Sequence, residues 1–348
     1  MRMVTSPMMF LIAFAYAGCM AQEPRSYTKD YRNALRHGAK VKMTLRIVDD
    51  GGRPVSNAVV TMQFNPPKAT KHVVGGGNSD CNGVVIAEGL TTKTVPGKVV
   101  KDGYYNSWFR FRSGNPEITD SGGESSKIYY DSKVKDGCWL PWNPTIPVVL
   151  REIRNPIPMY VSKIYRHSIP SETNMGFDCV AQDWIEPHGK GTVADFIIKF
   201  LPLPESGYDR ACRIVLSAAD GDGGFIRRRK NTSSAFVSDY EAPTNGYAEV
   251  SIQREKRLKF YERNPSDLSE DDYLIFKSRI VRDKDGVVVS ANYGKIYGKM
   301  EYVFSKEQAL GAFGFTYYFN PTPNDRNIEF DGRNNLFMPQ HNSSKYAP

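Results

Sequence analysis

Four polar residues in one short stretch of the chain are of types that catalyse hydrolysis or bind a divalent cation: Asp178, Asp183, Glu186 and His188. Cleavage of a glycosidic bond requires two carboxyl groups about 5–10 Å apart. The chain has only five His and lacks an H-E-x-x-H motif, so solvated loop charges are the favoured interpretation. We therefore predict no catalytic residue and no metal ligand. A hydrolase of cell-wall or dietary glycan that uses such carboxylates is the alternative.

Two glycine-containing segments begin like known ligand loops and then depart from them. Residues 189–192 read Gly-Lys-Gly-Thr, but the spacing of a phosphate-binding loop is absent. Residues 220–224 start like a calcium-binding loop, yet Asn231 stands at the twelfth position, where such a loop needs a Glu. A β-turn explains the second segment with fewer assumptions. Neither segment predicts a cofactor.

Two tryptophans offer a different chemistry, the stacking of a sugar on an aromatic ring. Trp139 and Trp142 lie close to Pro141 and Pro144, and a tryptophan face packs well against the C–H groups of a sugar. In the simpler interpretation, which we favour, both rings cover one end of a β-sandwich. Sugar stacking remains the functional alternative.

The strongest basic run is Arg227, Arg228 and Arg229, followed by Lys230. Guanidinium groups pair with carboxylate or sulfate, so an anionic glycan or a membrane surface is the functional candidate. A solvated hairpin is the simpler use. The whole chain carries 46 Lys and Arg against 38 Asp and Glu, and its net charge of +8 agrees with an acidic partner or with solubility alone.

The N-terminal segment predicts export. Arg2 precedes an apolar run at residues 8–17 that is too short to span a bilayer and is followed by small residues. Residues 16–19, Tyr-Ala-Gly-Cys, resemble a bacterial lipobox, which implies that Cys19 becomes lipidated. Ordinary cleavage after Ala21 is the alternative. In both cases we expect the mature chain at the cell envelope or secreted, so nucleic acid is not an expected partner.

The remaining cysteines pose a question of disulfide pairing. If Cys19 is lipidated, four are left in a compartment that permits disulfides. Proximity along the chain suggests Cys81 with Cys138 and Cys179 with Cys212. Free buried thiols, packed as small apolar groups, are the alternative that we favour slightly. The absence of C-x-x-C spacing argues against a structural zinc site.

The elements that position these residues are predicted to be strands. Met43, Leu45 and Ile47 alternate with polar residues, which is the pattern of a strand with one buried face. A turn rich in Gly and Pro follows at residues 49–55, and a second alternating run contains Val60, Met62 and Phe64. This order of parts predicts a small β-sandwich.

The same stretch resembles the carboxypeptidase regulatory-like domain. The resemblance lies in residues 52–60, Gly-Arg-Pro-Val-Ser-Asn-Ala-Val-Val, in the hairpin turn Asp-Cys-Asn-Gly at residues 80–83, and in Lys-Asp-Gly-Tyr-Tyr at residues 101–105. It covers under a quarter of the chain. It implies a transthyretin-like, immunoglobulin-like β-sandwich that serves as an accessory module. The zinc-binding catalytic domain of that enzyme family has no counterpart here.

The rest of the chain predicts a second β-rich domain of unknown family. Residues 154–158, Arg-Asn-Pro-Ile-Pro, form a stiff connector and the best boundary. The alternating runs around Asp285-Gly286 predict a hairpin, and Ser305 could cap a single helical turn at residues 305–310. The predicted layout is a signal peptide (1–21), a tether with a short helix at 31–37 (22–38), a first β-sandwich (39–155) and a second β-rich domain (156–348).

These expectations combine into an all-β protein of two domains without a recognisable catalytic motif. We predict a non-catalytic exported or surface-anchored protein for binding or scaffolding. Its first candidate partner is a polysaccharide or another cell-envelope component, and a lipid at the N-terminus would hold it to the membrane. The residues predicted to bind are Trp139, Trp142, Arg227, Arg228 and Arg229.

Overall fold

A computed structural model describes residues 28–67, 73–92, 94–112, 133–203, 210–230, 233–254, 268, 271–297, 300–337, 346 and 348. The segment predicted to be a signal peptide, including Cys19, lies outside the described residues. Among them 57% are in strands and 3% in helix, so the predicted all-β class is confirmed. None of the helical structure in this part of the chain is long and apolar enough to cross a membrane.

The first region contains one helix and nine strands that form two sheets around one core. They are α1 (Lys29–His37), β1 (Ala39–Asp49), β2 (Val59–Phe64), β3 (Val73–Asn78), β4 (Val84–Thr91), β5 (Thr94–Val100), β6 (Ser107–Arg112), β7 (Val134–Lys135), β8 (Cys138–Trp139) and β9 (Thr145–Leu150). One sheet has the order β4-β1-β8-β7, with β9 parallel to β1, and the other has the order β3-β2-β5-β6.

Strand β1 shows why this region is a sandwich. Its side chains Met43, Leu45 and Ile47 are fully buried, and they pack in the same cluster as Met62 and Phe64 of the opposite sheet. The intervening residues of β1 face outward. The predicted alternation is therefore confirmed. One sheet contributes one face to the core and leaves its other face open to solvent.

The helix begins and ends with ordinary capping interactions and packs on this core. The Thr28 hydroxyl accepts a hydrogen bond from the Tyr31 amide, and the chain leaves the helix at Gly38 with φ +75°. Tyr31 and Ala34 are buried, and the Tyr31 ring meets the Trp139 ring edge-on at 5.7 Å. The short helix was predicted correctly. Residues 28–38, however, belong to the first core and are not a free tether.

The turn at residues 80–83 has the predicted backbone but not the predicted connectivity. Gly83 has φ +72°, and a Cβ at this position would lie 2.3 Å from the Ile47 carbonyl oxygen. The Asp80 carboxylate accepts hydrogen bonds from the amides of Asn82 and Val84, at 2.9 and 2.7 Å. The turn joins β3 to β4, which lie in different sheets. It is therefore a crossover between sheets, and the hairpin prediction is wrong.

The second region contains twelve strands. They are β10 (Ile157–Pro170), β11 (Met175–Asp178), β12 (Asp183–Trp184), β13 (Phe196–Pro202), β14 (Cys212–Ala218), β15 (Gly224–Arg229), β16 (Val250–Arg254), β17 (Asp272–Arg282), β18 (Val288–Ile296), β19 (Glu301–Ser305), β20 (Leu310–Asn320) and β21 (Phe330–Asn335). Seven form a sheet of order β15-β17-β18-β20-β10-β21 with β19 beside β20, and five form the sheet β12-β11-β13-β14-β16.

The seven-stranded sheet is buried on both faces. Leu274 and Phe276 of β17 belong to an aromatic cluster shared with the five-stranded sheet, whereas Tyr273 and Ile275 belong to a cluster on the opposite side. The hairpin of β17 and β18 is confirmed. The helical turn predicted at residues 305–310 is wrong, because these residues form the turn between β19 and β20.

The positions of the cysteines exclude both suggested disulfides. Cys138 pairs with Lys40 at one end of β1, whereas the turn that holds Cys81 bonds to Ile47 near the other end, about 20 Å away. Cys179 and Cys212 likewise lie at opposite ends of β13. A disulfide needs Cα atoms within about 7 Å. All four described thiols are free; Cys179 and Cys212 are buried, and Cys81 is exposed.

The connector between the two regions is held by a buried carboxylate. Glu329 accepts hydrogen bonds from the amides of Arg154 and Asn155, at 3.0 and 2.8 Å, and from the Tyr105 hydroxyl at 2.8 Å. Burial together with this bond raises the pKa of Tyr105. Strand β10 starts directly afterwards, at Ile157. The connector is thus tied to the second region immediately before that region begins.

Candidate functional site

The acidic segment singled out from the sequence is a structural clasp. Both carboxylate oxygens of the buried Asp178 accept backbone hydrogen bonds: one from Val180 and Ala181, the other from Thr192 and Val193, at 2.9–3.1 Å. Burial alone would raise the pKa of Asp178, but these four bonds outweigh it and hold the pKa below its ordinary value. Asp178 therefore stays ionised and already has its partners.

Arg279 of β17 closes the clasp. Its guanidinium donates to Asp178 at 2.9 Å and to the fully buried Asp195 at 2.8 Å. Asp195 also accepts from the Ser278 hydroxyl and the Cys179 amide. Arg279 has φ +50°, an unusual backbone conformation for a non-glycine residue. Neither Asp195 nor Arg279 is predicted from the sequence, because nothing in their local pattern links them.

The other members of the acidic segment do not join Asp178 in a reactive site. The Asp183 carboxylate accepts from the amides of Trp184 and Lys190, while Glu186 and His188 are exposed. Within the described ranges, no group of three or more His, Cys, Asp or Glu side chains could hold a metal ion. A general acid requires a raised pKa, whereas that of Asp178 is lowered. The geometry does not favour the hydrolase alternative.

The two tryptophans have different surroundings. Trp139 is fully buried, and its indole N–H donates to the Thr91 carbonyl oxygen at 2.8 Å. Its ring faces are covered by the first core, so the prediction that Trp139 binds a sugar is wrong. Trp142 is 41% exposed and lies in the loop before β9. Only Trp142 can offer a ring face to a ligand.

The arginine run divides in the same way. Arg227 donates to the buried Asp272 at 2.6 Å, and this pair lies in the strand layer. The Arg228 side chain is 45% exposed and lies 3.5 Å from Asp239, and that of Arg229 is 72% exposed and lies 3.5 Å from Asp272. Charge-assisted N–H···O bonds are usually 2.7–2.9 Å long, so these two longer pairs leave guanidinium donors available.

Arg228 and Arg229 line a cleft between the two regions. Its volume is about 470 Å³, and its walls come from the end of β1, the end of β9, the strand β15 and the segment after β15. The residues that line it are Val48, Asp49, Asp50, Gly52, Val149, Arg151, Arg228, Arg229, Val237, Asp239 and Tyr273. Three arginines and three aspartates therefore face one hollow, which we name the junction cleft.

The aspartates of the junction cleft differ in how far they are already engaged. Asp49 accepts from the Gly51 and Arg53 amides and from the Arg53 guanidinium, at 2.7–2.9 Å. Burial would raise the pKa of Asp49, but the bonds from Arg53 outweigh it and the pKa is lowered. Asp50 lies 3.3 Å from Arg154. Asp239, paired with Arg228 at 3.5 Å, is the more open acceptor.

Arg151 forms part of the floor of the cleft and is held in place by stacking. Its guanidinium lies 4.6 Å from the Phe236 ring centre and 4.3 Å from that of Tyr240, and it donates to the Ser238 carbonyl oxygen. Phe236 and Ser238 belong to the segment that joins β15 to β16. Stacked guanidinium groups are pre-organised for planar anions because few rotamers remain to be lost.

A fully buried lysine lies beneath this floor. The Lys295 ammonium donates to the Ser238 hydroxyl at 2.9 Å and lies 4.7–4.9 Å from the ring centres of Phe236, Tyr297 and Tyr318. Burial lowers the pKa of Lys295 well below its ordinary value, and the nearby Arg151 lowers it further. No sequence pattern indicates a role for this lysine, because a single Lys in a strand is normally solvated.

Comparisons with known proteins add little to this geometry. No family model matches the chain, and no curated protein matches it significantly. Among solved structures, the crystal structure of 3-chlorocatechol 1,2-dioxygenase from Rhodococcus opacus aligns at 13% identity over 34% of this chain, with a TM-score of 0.25. The alignment spans 62% of the dioxygenase chain. A likeness of that size supports no conclusion about activity.

Proposed function

We propose that the protein is a non-catalytic binding protein of the cell envelope and that its ligand is an acidic polysaccharide. The observation that carries this proposal is the junction cleft, in which Arg151, Arg228 and Arg229 face one hollow of about 470 Å³. A hollow of that size accommodates one or two sugar rings. Export and a lipid at Cys19 remain part of the proposal, and lipid labelling of the mature chain would test them.

The arginines supply the specificity for an anion. A guanidinium has five N–H donors in a planar fork that matches a carboxylate or a sulfate. Arg228 and Arg229 each use part of that fork in a pair 3.5 Å long, and the rest of each guanidinium is exposed. An incoming uronate would therefore compete with long ion pairs of exposed arginines, which contribute about 0–1 kcal/mol each.

The carboxylates of the cleft can bind the hydroxyl groups of a sugar. Sugar hydroxyls donate as well as accept hydrogen bonds, and the half-exposed Asp239 can accept them. A cleft for inorganic phosphate would have no use for aspartates in its walls. Binding is favoured over hydrolysis because the buried carboxylates Asp178 and Asp195 are fully engaged with amides and with Arg279.

The test is binding of the full chain to polygalacturonate, with neutral dextran as the uncharged comparison. We expect binding to polygalacturonate alone, weakening as the Debye length falls from about 10 Å at 0.1 M salt to about 3 Å at 1 M. The double variant R228A/R229A should bind polygalacturonate at least about tenfold more weakly than the wild type, because it lacks two charge-assisted hydrogen bonds.

The matched control is Arg282→Ala. The Arg282 side chain is 43% exposed and paired with Asp222, so it resembles Arg228 in charge and exposure but lies outside the cleft. Its removal should leave binding unchanged. Failure of the wild type to bind any acidic polymer would overturn the proposal, and so would equal losses in R228A/R229A and the control.

A further inference from the structure

The outward face of β1 carries a row of cations. Lys40, Lys42 and Arg46 alternate with the buried Val41, Met43 and Leu45, so all three project from the open face of the first sheet. None of the three forms an ion pair with a described residue. The one acidic residue opposite the row is Glu88 of β4, in register with Lys42.

The outward positions of the strands β4 and β9, which pair with β1, add no cation to this row. The outward positions of β4 are Val84, Ile86, Glu88 and Leu90, and those of β9 are Thr145, Pro147 and Val149. Neither strand contributes a cation there. In the same sheet, Lys135 of β7 is in register with Cys138, which is in register with Lys40, so it adds one cation beside the start of the row. The positive charge of this face thus runs mainly along β1, an arrangement that complements an extended anionic chain better than a planar membrane surface.

The line leads into the junction cleft. Val48, the next outward residue of β1 after Arg46, lines the cleft, as does Val149 of the adjacent β9. From Lys40 to Val48 the strand rises about 26 Å. Arg228 and Arg229 continue the positive charge on the far side of the cleft.

Trp142 lies beside the same line. Its neighbour Asn143 donates its amide to the Lys42 carbonyl oxygen at 3.0 Å, and the Asn143 side chain accepts from the outward Thr44 hydroxyl at 2.9 Å. The loop of Trp142 is therefore fastened to β1 next to the cations. The exposed ring provides a stacking surface next to the segment of β1 that contains Lys42 and Thr44.

We propose that an extended acidic polysaccharide binds along the outward face of β1, from Lys40 past Lys42, with Trp142 beside it, and past Arg46 into the junction cleft. This inference rests on the proposed function and specifies its ligand: a linear polymer of several charged sugars, not a single acidic sugar. The polymer fits because its repeating charges meet cations spaced along one straight strand.

The experiment compares the affinities of the full chain for oligogalacturonides of two and of ten residues at low salt. The decamer should bind the wild type about a hundredfold more tightly than the dimer, because only the decamer reaches beyond the cleft and its overlapping dimer units alone give no more than about ninefold. In the triple variant K40Q/K42Q/R46Q this preference should fall to about ninefold or less, and dimer binding should stay at the wild-type level.

The matched control is the triple variant K163Q/K284Q/R333Q. It removes the same net charge from three exposed positions of the second region. It should keep the preference for the decamer, which separates local contacts from a general loss of positive charge. Melting temperatures of both triple variants equal to that of the wild type would show that neither set is needed for folding.

The failures of the two proposals are distinguishable. A wild type that binds the decamer no more than about ninefold more tightly than the dimer would overturn the line along β1 and leave the cleft proposal standing. A wild type that binds neither would overturn both. Binding to phosphatidylglycerol vesicles but not to the decamer would assign the face to a membrane. Dimerisation that K40Q/K42Q/R46Q abolishes would assign it to a second copy of the chain. Either result would overturn the proposal that a polysaccharide binds along β1.

Discussion

The clasp around Arg279 and the junction cleft contain the same chemical groups in opposite conditions. In the clasp, one guanidinium is shared between two buried aspartates at 2.8 and 2.9 Å, and those aspartates have further bonds to amides and a hydroxyl. In the cleft, Arg228 and Arg229 are about half or more exposed, with pairs at 3.5 Å. The comparison separates arginines that hold the protein together from arginines free to bind something else.

The physical difference is desolvation. A buried ion pair must keep every partner, because an orphaned charge in a low-dielectric interior is expensive. A solvated pair loses little when one partner turns to a ligand, because water replaces what is lost. Charge content alone, which is all that composition reports, cannot distinguish the two. The predictions below start from the buried ion pair whose loss should cost the most stability.

Removal of Arg279 should have the largest effect on stability. Arg279→Ala leaves the buried Asp178 and Asp195 without their cation, and removing one partner of a buried pair typically costs about 3–5 kcal/mol. Urea unfolding at pH 7 measures the loss. Arg166→Ala, which breaks the exposed pair with Glu301, should cost about 1 kcal/mol or less. Equal losses in the two variants would contradict the role of the clasp.

Lys295→Met should change how stability depends on pH. The pKa of Lys295 is lowered in the folded state, so the unfolded chain binds more protons than the folded chain below the ordinary lysine pKa of about 10.5. The wild type should therefore lose stability relative to the variant as the pH falls from about 10.5 to the lowered pKa, by up to about 1.4 kcal/mol per pH unit.

The measurement is chemical unfolding of both proteins at pH 7, 8, 9 and 10. Lys284→Met, at an exposed position in the turn between β17 and β18, is the control and should track the wild type across the series. Parallel pH profiles of the wild type and Lys295→Met would show that the amine stays protonated within its aromatic surroundings.

The smallest effect on stability belongs to the cleft. Because pairs of exposed arginines contribute about 0–1 kcal/mol each and R228A/R229A removes two of them, this variant should unfold within about 2 kcal/mol of the wild type. Thermal unfolding at low salt, where exposed pairs are strongest, is the most demanding check. A loss near that of Arg279→Ala would make the cleft arginines structural and remove the basis of the contrast.

Much of the strand pattern could be predicted from the sequence, because alternation reports burial directly. The buried set of β1, the β17–β18 hairpin and the positive φ of Gly83 all follow from local chemistry. The crossover at residues 80–83 could not be predicted, because a tight turn has the same residues whether it joins neighbouring strands or two sheets. The resemblance to a regulatory-like domain remains a prediction.

The site was harder to predict for a related reason. Trp139 and Trp142 are nearly adjacent in sequence, yet one fills the core and the other lies at the surface, because the strand β8 turns the first ring inward. Arg227 and Arg228 point to opposite faces of β15 and so have different partners. Pairings such as Arg279 with Asp195 join residues 84 positions apart, and a single sequence carries no local trace of them.

Glu329 is synthesised late relative to the groups that it binds. It follows Arg154 by 175 residues and Tyr105 by 224, so the groups that it binds leave the ribosome long before it does. At about 5–20 residues per second, the first sandwich is complete for roughly 10–30 s before its last acceptor appears. During that interval the Arg154 and Asn155 amides lack the acceptor that they have in the folded protein. A nascent chain halted before residue 329 would expose this surface to chaperones, and its release would bury it.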